Sequence, residues 1–446
     1  MVVTTAAAPA TIANWVESLT EQGVKYVRFE LPDLHGVSRL KVIPIGKVAG
    51  YARKGLNFYG GTLALDTASS VVTTSGYHEE RRYRDHLLFP DISSCTPVPW
   101  MEHTAKVVCD AYWAPEEPLL GAPRYVLKAL LDRAKQLGFE VMMGHEFEFY
   151  LLNAETQQPL FDGLHIFNHI RNQYVPAISQ MLDYLQAAGI DVITHNCEYA
   201  PSQFEINYGP SIGIQGADKA FTFKNAVKEI AHHLGYQASF MSKPFAGLAG
   251  CCCHFHLSLW NGGTNLFLDE DAPHGLSATA RSFIQGILAH APAMMPLIGP
   301  TPNCYRRLKP HTFAPSNISW GIEDRTAMVR VKATGDEDTH LEMRAGSGLS
   351  NPYLTAAATL AAGLLGIQEQ RELPPMVAGP SEEEPSLPPF PKTLDAALAA
   401  LAADSAMQEM LGPEFCQLFT TVKQFELARF HDHITDWEKT EYLEVY

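Results

Sequence analysis

Three short stretches of the chain each place two chemically active side chains two residues apart, and this spacing constrains the fold. They are GHEFEFYLL with Glu146 and Glu148, CCCHFHLSLW with His254 and His256, and THLEMRAG with Glu342 and Arg344. In a β-strand, residues i and i+2 point to the same face, so each stretch would direct both groups into one space. Burying such pairs is costly unless they are neutralised. The pattern therefore predicts strands that converge on a cluster of divalent cations.

Two further acidic residues and a group of arginines extend this pattern. Glu198 and Glu205 stand in HNCEYAPSQFEINYG, within a predicted strand, turn and strand. Glutamates joined by one histidine offer mainly hard oxygen ligands, which suit Mg²⁺ or Mn²⁺ better than Zn²⁺. Guanidinium groups bind carboxylate and phosphate through a planar fork, and the last third of the chain contains Arg306, Arg307, Arg325, Arg330 and Arg344. The combination predicts an anionic substrate and a phosphoryl transfer.

The common phosphate-binding motifs are absent from the sequence. It contains neither a GxxxxGK[ST] loop nor a dinucleotide-binding fingerprint, so ATP would be held by metal ions and arginines. The formal net charge of -16 argues against nucleic acid or an anionic membrane as a partner, because proteins bind such phosphates with clustered lysine and arginine. Small ligands and other proteins remain as partners.

Location and redox state also follow from the sequence. The N-terminus lacks a basic segment followed by a long apolar core, and no later run reaches the roughly 18 apolar residues of a membrane span. A cytoplasmic protein is therefore expected. The eight cysteines include no CxxC pair, and three of them are adjacent at 251–253. Adjacent cysteines cannot all form sound disulfides, so reduced thiols are expected.

A proline-rich stretch divides the chain into two predicted domains, since one core seldom supports 446 residues. Residues 1–115 predict a small strand-rich domain, with a helix from Thr11 to Leu19 and two strands joined by a turn at Asp33–Gly36. APEEPLLGAPR forms the linker. Residues 120–446 predict alternating strands and helices, including a helix over 171–188 and a strand at SFMSKPF, before a helical C-terminal part.

Taken in order, these motifs resemble the glutamine synthetase family from about residue 24 to the C-terminus. The matching segments are GHEFEF, EYAPSQFE, FMSKPFAG, HFHLSLW, NCYRRL, SWGIEDR, LEMR, NPYLTAAATLAAGLLGI and TDWEKTEYLEVY. The resemblance implies an α+β fold with an N-terminal β-grasp-like domain and a catalytic domain whose curved antiparallel sheet forms a half-barrel. It also implies that the N-terminal domain of one subunit completes the active site of its neighbour, in a ring-forming homo-oligomer expected to be a dodecamer.

The resemblance implies a role for each matching residue. The metal that orders glutamate would be bound by Glu148, Glu198 and Glu205. The metal facing the nucleotide phosphates would be bound by Glu146, His254 and Glu342. Each active site would hold two to three Mg²⁺ or Mn²⁺ ions. His256 and Ser258 would contact the nucleotide. Arg325 and Arg330 would contact the transferring phosphoryl group. The L-glutamate site would comprise Arg307 and Arg344 as a clamp, with Gly250, Glu148 and His254. Arg307 and Arg325 would be catalytic.

The reaction implied is a two-step amide synthesis. The γ-carboxylate of L-glutamate attacks the terminal phosphate of ATP to give γ-glutamyl phosphate, and an amine then displaces phosphate. ATP is needed because a carboxylate is a poor acylating agent, whereas its acyl phosphate has a good leaving group. Metal ions and arginines would stabilise the charge that develops.

Two departures from the family pattern bear on the amine. Ammonia-using members have an Asp in the N-terminal domain and a Glu after the N-S-Y-x-R-L motif, and both help to bind ammonium. The aligned residues here are Tyr59 in LNFYGG and Phe313 in HTFAP. Aromatic rings suit a flat apolar amine better than a cation, and a weakly basic arylamine such as aniline arrives neutral. The chain thus resembles γ-glutamylanilide synthases of bacterial aniline degradation, unless both rings merely fill the core.

Other functions remain open. Within the family, a γ-glutamyl ligase for alkyl amines or polyamines is the alternative, which an acidic pocket would favour. An inactive synthetase-like sensor or structural protein is a second alternative, although the retained ligands and arginines argue against it. A redox or metal-sensing role for the cysteines at 251–253 is a third, but no matching cysteine or histidine spacing supports it.

Overall fold

The computed structural model describes residues 7–163, 166–168, 170, 175–377 and 379–446. Its first sheet has seven strands: β1 (Tyr26–Pro32), β2 (Ser38–Pro44), β3 (Leu56–Tyr59), β4 (Asp85–Pro90), β5 (Thr96–Pro97), β6 (Thr104–Ala114) and β7 (Glu117–Pro118). Strand β1 is an interior strand of this sheet, antiparallel to β2 and parallel to β6. Because β1 is covered on both faces, it is buried along nearly its whole length. Helices α1 (Pro9–Glu21) and α2 (Ile45–Lys54) contribute to the same core.

The second sheet has ten strands and begins after the linker. They are β8 (Glu140–Asn153), β9 (Val192–Cys197), β10 (Gln203–Tyr208), β11 (Ser211–Ile212), β12 (Tyr236–Ser239), β13 (Cys253–Asn261), β14 (Thr264–Asn265), β15 (Trp320–Ile322), β16 (Val329–Lys332) and β17 (His340–Met343). The main path runs β15-β16-β17-β13-β8-β10-β9. It is antiparallel except between β15 and β16, which pair in parallel. The mixed α+β fold with a curled half-barrel sheet is therefore confirmed.

Helices alternate with these strands, and the C-terminal part of the chain is helical. Those described are α3 (Pro123–Gln136), α4 (Ala177–Ala187), α5 (Ile214–His233), α6 (Ala278–Ile298), α7 (Pro352–Glu369), α8 (Leu394–Ala403), α9 (Ser405–Leu411), α10 (Pro413–His431) and α11 (Asp436–Tyr442). Helices α6 and α7 approach so closely that a Cβ on Gly286 would lie 2.1 Å from the carbonyl oxygen of Ala362. Only glycine fits at that contact.

Alternation along β13 explains how the sheet presents functional groups. Phe255, Leu257 and Leu259 are fully buried, in one core cluster with residues of α6 and α7. Successive residues of a strand point to opposite faces, so His254 and His256 face the other side. One face of the sheet thus supplies the core and the other supplies the chemistry.

Most sequence-predicted elements are confirmed, and one is wrong. The first helix and the strands on either side of the Asp33–Gly36 turn lie where predicted. The strand predicted at SFMSKPF is wrong, because β12 ends at Ser239 and the chain then leaves the sheet. Beyond it the carbonyl of Ser242 accepts the main-chain N–H of Cys251 at 2.9 Å, outside any ladder. Of the helix predicted over 171–188, residues 171–174 lie outside the described residues.

A buried cluster connects the hairpin turn between β1 and β2 to helix α10. His35 Nε2 lies 2.6 Å from Glu426 Oε1, and Lys423 Nζ donates to Glu426 Oε2 at 2.8 Å. Burial acts to raise the pKa of Glu426, but the bond to His35 and the charge of Lys423 lower it to about 2. A folded-state pKa below the usual value of about 4.3 means that the charged form stabilises the fold.

The Glu426 cluster should therefore give a pH-dependent contribution to stability. This stabilisation amounts to about 3 kcal/mol. It is fully present above the pKa of about 4.3 that the group has in the unfolded chain, and it is lost as the pH falls through the pKa of the folded state. Glu426→Gln should lower the free energy of unfolding by that order at pH 7. Urea unfolding of both proteins between pH 7 and pH 3 checks this. A difference that stays constant below pH 4 would contradict it.

Candidate functional site

Neighbouring strands bring the predicted ligands onto one face of the second sheet. The pairs that lie opposite one another in the strand registers are His254–Glu146, Glu205–Glu148, His256–Glu342 and Arg330–Glu342. Directly opposed residues of an antiparallel pair lie about 5 Å apart, close enough for their side chains to share a ligand. Residues from β8, β10, β13, β16 and β17 therefore meet in one place.

Three carboxylates form the first cluster of this site. Single oxygens of Glu148, Glu198 and Glu205 all lie within 4.8 Å of one another. Burial raises the pKa of Glu198 and of Glu205, and the neighbouring carboxylates raise both further. A divalent cation would remove this repulsion, and a set made only of carboxylate oxygens suits Mg²⁺ or Mn²⁺.

Amide side chains orient these carboxylates, and the sequence interpretation did not include them. They are Asn196 Nδ2, which donates to Glu198 at 2.8 Å, Gln203 Nε2, which donates to Glu148 at 3.1 Å, and Asn207 Nδ2, which donates to Glu205 at 3.0 Å. The period-2 spacing of Gln203, Glu205 and Asn207 along β10 is the signal that could have identified two of them. Such partners fix the direction in which a ligand points.

The second cluster contains Glu146, His254 and Glu342. His254 Nδ1 lies 3.7 Å from Glu146 Oε1 and 3.6 Å from Glu342 Oε1. This nitrogen is buried and has no hydrogen-bond partner among the described residues. Ligands of one octahedral ion with bonds of about 2.1 Å lie about 3 to 4 Å apart. A buried nitrogen facing two carboxylates at this spacing therefore fits a cation.

Charges around the second cluster favour ionised carboxylates. Burial acts to raise the pKa of Glu146, but its close contacts with His254 and His256 hold it well below its usual range. Burial acts in the same direction on Glu342, yet His254 and Arg344 lower its pKa to about 2. Both groups thus retain the negative charge that a metal ligand needs.

Two of the predicted arginines contact a carboxylate of this cluster. Arg330 Nη1 donates to Glu342 Oε2 at 3.0 Å, and Arg344 also binds Glu342. Arg307 Nη2 donates to the carbonyl of Gly346 at 2.8 Å, whereas Arg325 is exposed. Buried guanidinium groups need such acceptors. Nε of Arg307 and of Arg330 remains buried without an acceptor in the described part of the chain, so each retains a donor for a ligand.

Gly250 lies between Arg307 and the first cluster. A Cβ there would lie 2.5 Å from the carbonyl of Ser242 and 2.8 Å from Arg307 Cγ, so a side chain would displace the arginine. Its carbonyl accepts Nε2 of Gln203 at 3.0 Å, and the same nitrogen donates to Glu148. Gly250 therefore ties the arginine to the carboxylate cluster through its main chain.

A cavity of about 670 Å³ opens beside Glu146. His256 and Ser258, the predicted nucleotide contacts, both line it, together with Trp260, Lys332 and His340. His256 Nε2 lies 3.0 Å from Glu146 Oε2, and its Nδ1 lies 3.1 Å from His340 Nε2. The cavity has the size of a cofactor or nucleotide site and joins the second carboxylate cluster.

The two predicted amine-pocket residues lie on different elements of the chain. Tyr59 ends β3 of the first sheet, and its hydroxyl lies 2.7 Å from His78 Nδ1. Phe313 is 68% exposed in a loop and has a positive φ of 56°, which is rare for a bulky residue. Its ring lies 6.4 Å from that of Tyr199, centroid to centroid. Tyr199, which follows Glu198 directly, was not identified from the sequence.

The adjacent cysteines at 251–253 are buried free thiols. Burial raises the pKa of each of the three, and that of Cys252 rises well above its usual value. Reactive cysteines need the thiolate form and access to solvent. These three cysteines therefore fit the prediction of reduced thiols, and their burial argues against a redox switch.

None of the helices described here combines the length and the apolarity needed to cross a membrane.

Comparison with known proteins gives consistent matches over nearly the whole chain. Residues 120–442 match the family model for the glutamine synthetase catalytic domain. Glutamine synthetase of Methanocaldococcus jannaschii is 34% identical over 452 residues, which cover 96% of this chain and 97% of the relative. Human lengsin is 30% identical over 428 residues, which cover 92% and 82%. A solved GmaS/ADP complex, a gamma-glutamylmethylamide synthetase, matches with a TM-score of 0.86 at 30% identity, covering 96% and 99%.

Proposed function

Since the chain belongs to the glutamine synthetase family, we propose that it joins the γ-carboxylate of L-glutamate to an aromatic amine such as aniline. The products are γ-glutamylanilide, ADP and phosphate. Enzymes of this family are ATP-dependent ligases of glutamate with ammonia or an amine, and this chain is one of them. One observation carries the choice of amine: the exposed rings of Phe313 and Tyr199 lie together beside Glu198.

Family members use ATP with Mg²⁺ or Mn²⁺, and the residues of this chain fit such ions. One ion would be held by Glu148, Glu198 and Glu205, and a second by Glu146, His254 and Glu342. A bound divalent ion neutralises phosphate and carboxylate charge and polarises the oxygens of the transferring group. His256 and Ser258, on the wall of the cavity, would contact the nucleotide.

Arginines of this chain would supply the remaining positive charge. The γ-carboxylate oxygen attacks the terminal phosphorus of ATP and ADP leaves. The amine nitrogen then attacks the acyl carbon, the bond to phosphate breaks, and the nitrogen releases a proton as the amide forms. Arg330 and Arg325 would stabilise the transferring phosphoryl group, which gains charge on its outer oxygens. Arg307 and Arg344 would hold L-glutamate by its carboxylate groups. The unpartnered Nε atoms of Arg307 and Arg330 support these roles.

The amine end of the site is aromatic. Aniline is neutral at pH 7, so it needs no carboxylate to bind as a cation and no base to become nucleophilic. Its ring would lie against Phe313 and Tyr199, where aromatic pairs contribute about 0.5–1.5 kcal/mol beyond the area that they bury. Tyr59 would complete this surface from a neighbouring subunit, since His78 holds its hydroxyl at 2.7 Å and leaves the half-buried ring in place.

The second candidate is a ligase for a small alkyl amine. The solved GmaS/ADP complex, from a gamma-glutamylmethylamide synthetase, covers 96% of this chain and favours it. Against it, alkyl amines are protonated at neutral pH and need an acidic partner, whereas this chain has rings at both aligned positions. An inactive sensor or structural protein fits less well, because six ligand residues with costly burial would serve no purpose there.

Phosphate release from ATP and glutamate tests the proposed function. With ammonia, methylamine, putrescine and aniline supplied at equal concentration, the rate should be highest with aniline and near background with ammonia. A higher rate with methylamine would establish the second candidate. No amine-dependent release with any of the four would contradict both and favour the inactive protein.

The ring pair should control the affinity for the amine. Tyr199→Ala and Phe313→Ala should each raise the KM for aniline about fivefold, because each removes about 1 kcal/mol of ring contact, and should leave the KM for L-glutamate unchanged. Phe430→Ala, which removes another exposed ring far along the chain, is the matched control. Unchanged KM values for aniline in both variants would show that these two rings do not bind the amine.

Further expectations about the whole protein are proposals of the same kind. We propose a homo-oligomer with shared active sites and a dodecameric ring, in the cytoplasm, and a domain boundary between residues 115 and 120. The exposed apolar residues of the C-terminal segment support an assembly, since a monomer would leave Ile434, Trp437, Leu443 and Val445 in water.

A further inference from the structure

Cys252 contacts one residue of each carboxylate cluster. Its main-chain nitrogen donates to Glu148 Oε2 at 3.0 Å, and its carbonyl accepts the main-chain N–H of Glu148 at 3.2 Å. Its Sγ lies 3.1 Å from Nε2 of His254. Residues 252 and 254 are two apart in extended chain, so both side chains face the site. Cys252 thus links the two clusters.

The contact with sulfur bears on which ring nitrogen of His254 carries the proton. If the thiol donated to Nε2, Nδ1 would carry a hydrogen, yet no acceptor lies within hydrogen-bond distance of Nδ1 in the described part of the chain. If Nε2–H donates to Sγ, Nδ1 presents a lone pair to the space between Glu146 and Glu342, at 3.7 and 3.6 Å. A lone pair facing two carboxylates is favourable only with a cation between them.

The neighbouring cysteines do not share this position. Cys251 Sγ lies 3.8 Å from Gln203 Nε2, and Cys253 Sγ lies 4.0 Å from the carbonyl of His254. Both are fully buried, as Cys252 nearly is. Only the middle thiol of the triplet touches the ring of a predicted ligand, so a substitution at Cys253 removes similar volume without removing this contact.

We propose that Cys252 is a positioning residue, which accepts the Nε2–H of His254 and so fixes Nδ1 as the nitrogen that binds the divalent cation. The inference rests on the proposed metal role of Glu146, His254 and Glu342, but not on the choice of amine. Partners of this kind on a metal-binding histidine typically change metal affinity 10- to 100-fold when they are lost. At most positions that partner is a carboxylate or a carbonyl, whereas here it is a sulfur.

Mn²⁺ binding measured by electron paramagnetic resonance tests this without any turnover. Cys252→Ala should weaken one class of Mn²⁺ site by about 10- to 100-fold and leave the other class intact, since the main-chain bonds of residue 252 to Glu148 remain. Cys252→Ser retains an acceptor and should restore most of the affinity. Cys253→Ala is the matched control and should bind Mn²⁺ as the unaltered protein does.

The two classes of site can be assigned with ligand variants. Glu205→Gln should weaken Mn²⁺ binding at the class of site that Cys252→Ala leaves intact. Glu146→Gln should weaken Mn²⁺ binding at the class of site that Cys252→Ala also weakens. Unchanged affinity in Cys252→Ala would overturn the proposal. Equal losses in Cys252→Ser and Cys252→Ala, or a loss in both classes of site, would also overturn it by showing a packing role. Because no amine is present, a wrong amine assignment would not affect the result.

Discussion

Glu205→Gln is expected to stabilise the metal-free protein and to lower the ligation rate with metal on the order of 100-fold or more. Without an ion, Glu205 is buried beside Glu148 and Glu146, and burial with these charges raises its pKa. A neutral amide removes that repulsion, and each unit of raised pKa corresponds to about 1.4 kcal/mol. The same change removes one carboxylate oxygen from the ligand set. Stability and function thus respond in opposite directions.

Thermal unfolding in EDTA and in Mn²⁺ provides the measurement for Glu205→Gln. The variant should unfold at a higher temperature than the unaltered protein in EDTA and at a lower temperature in Mn²⁺, since binding to the folded state adds stability. Glu140→Gln, at the exposed start of the neighbouring strand β8, should change neither midpoint. If Glu205→Gln is less stable than the unaltered protein in EDTA as well, repulsion among the carboxylates does not destabilise the metal-free protein.

Arg124→Met is expected to cost about 3–5 kcal/mol of the free energy of unfolding, because it removes a buried charge that pairs with three carboxylates and leaves two of them without a cationic partner. The Arg124 side chain is 2% exposed and binds Asp91 at 2.6 Å, Asp110 at 2.5 Å and Asp218 at 2.7 Å. The first two acids belong to the first sheet and its loops, and Asp218 belongs to α5. Tyr353 of α7 also donates to Asp218, at 2.6 Å. One guanidinium therefore connects both halves of the chain.

Lys128→Met is the matched control for this cluster. Lys128 pairs with the same Asp110 at 2.8 Å, but its side chain is 39% exposed. An exposed pair contributes less than about 1 kcal/mol, so this variant should unfold nearly as the unaltered protein does in urea. If Arg124→Met and Lys128→Met lose equal free energies of unfolding, burial of the arginine does not determine how much it stabilises the fold.

Much of the fold and of the ligand face followed from local pattern. The i and i+2 spacing at Glu146, Glu148, His254 and His256 needs only extended chain, and the structure places all four on strands β8 and β13. The half-barrel itself came from resemblance, since spacing does not determine which strands pair. Strand pairing depends on contacts far apart in sequence, such as the register of His254 with Glu146.

Contacts between loops were not predictable from the sequence. Tyr199 and Phe313 are more than a hundred residues apart, and neither loop has a periodic pattern, so their contact depends on the whole fold. The strand predicted at SFMSKPF had the right composition but no partner strand beyond Ser239. Likewise, the pairing of Arg330 with Glu342 follows from the register of β16 with β17. Residue type indicated the chemistry, and tertiary structure selected the partners.

A competition assay shows directly which amine the enzyme prefers. Enzyme, ATP, Mg²⁺ and L-glutamate are incubated with equimolar ammonia, methylamine and aniline, and the γ-glutamyl products are quantified by mass spectrometry. We expect γ-glutamylanilide as the dominant product, with glutamine and γ-glutamylmethylamide as minor ones. Glutamine or γ-glutamylmethylamide as the main product, with no anilide, would contradict it.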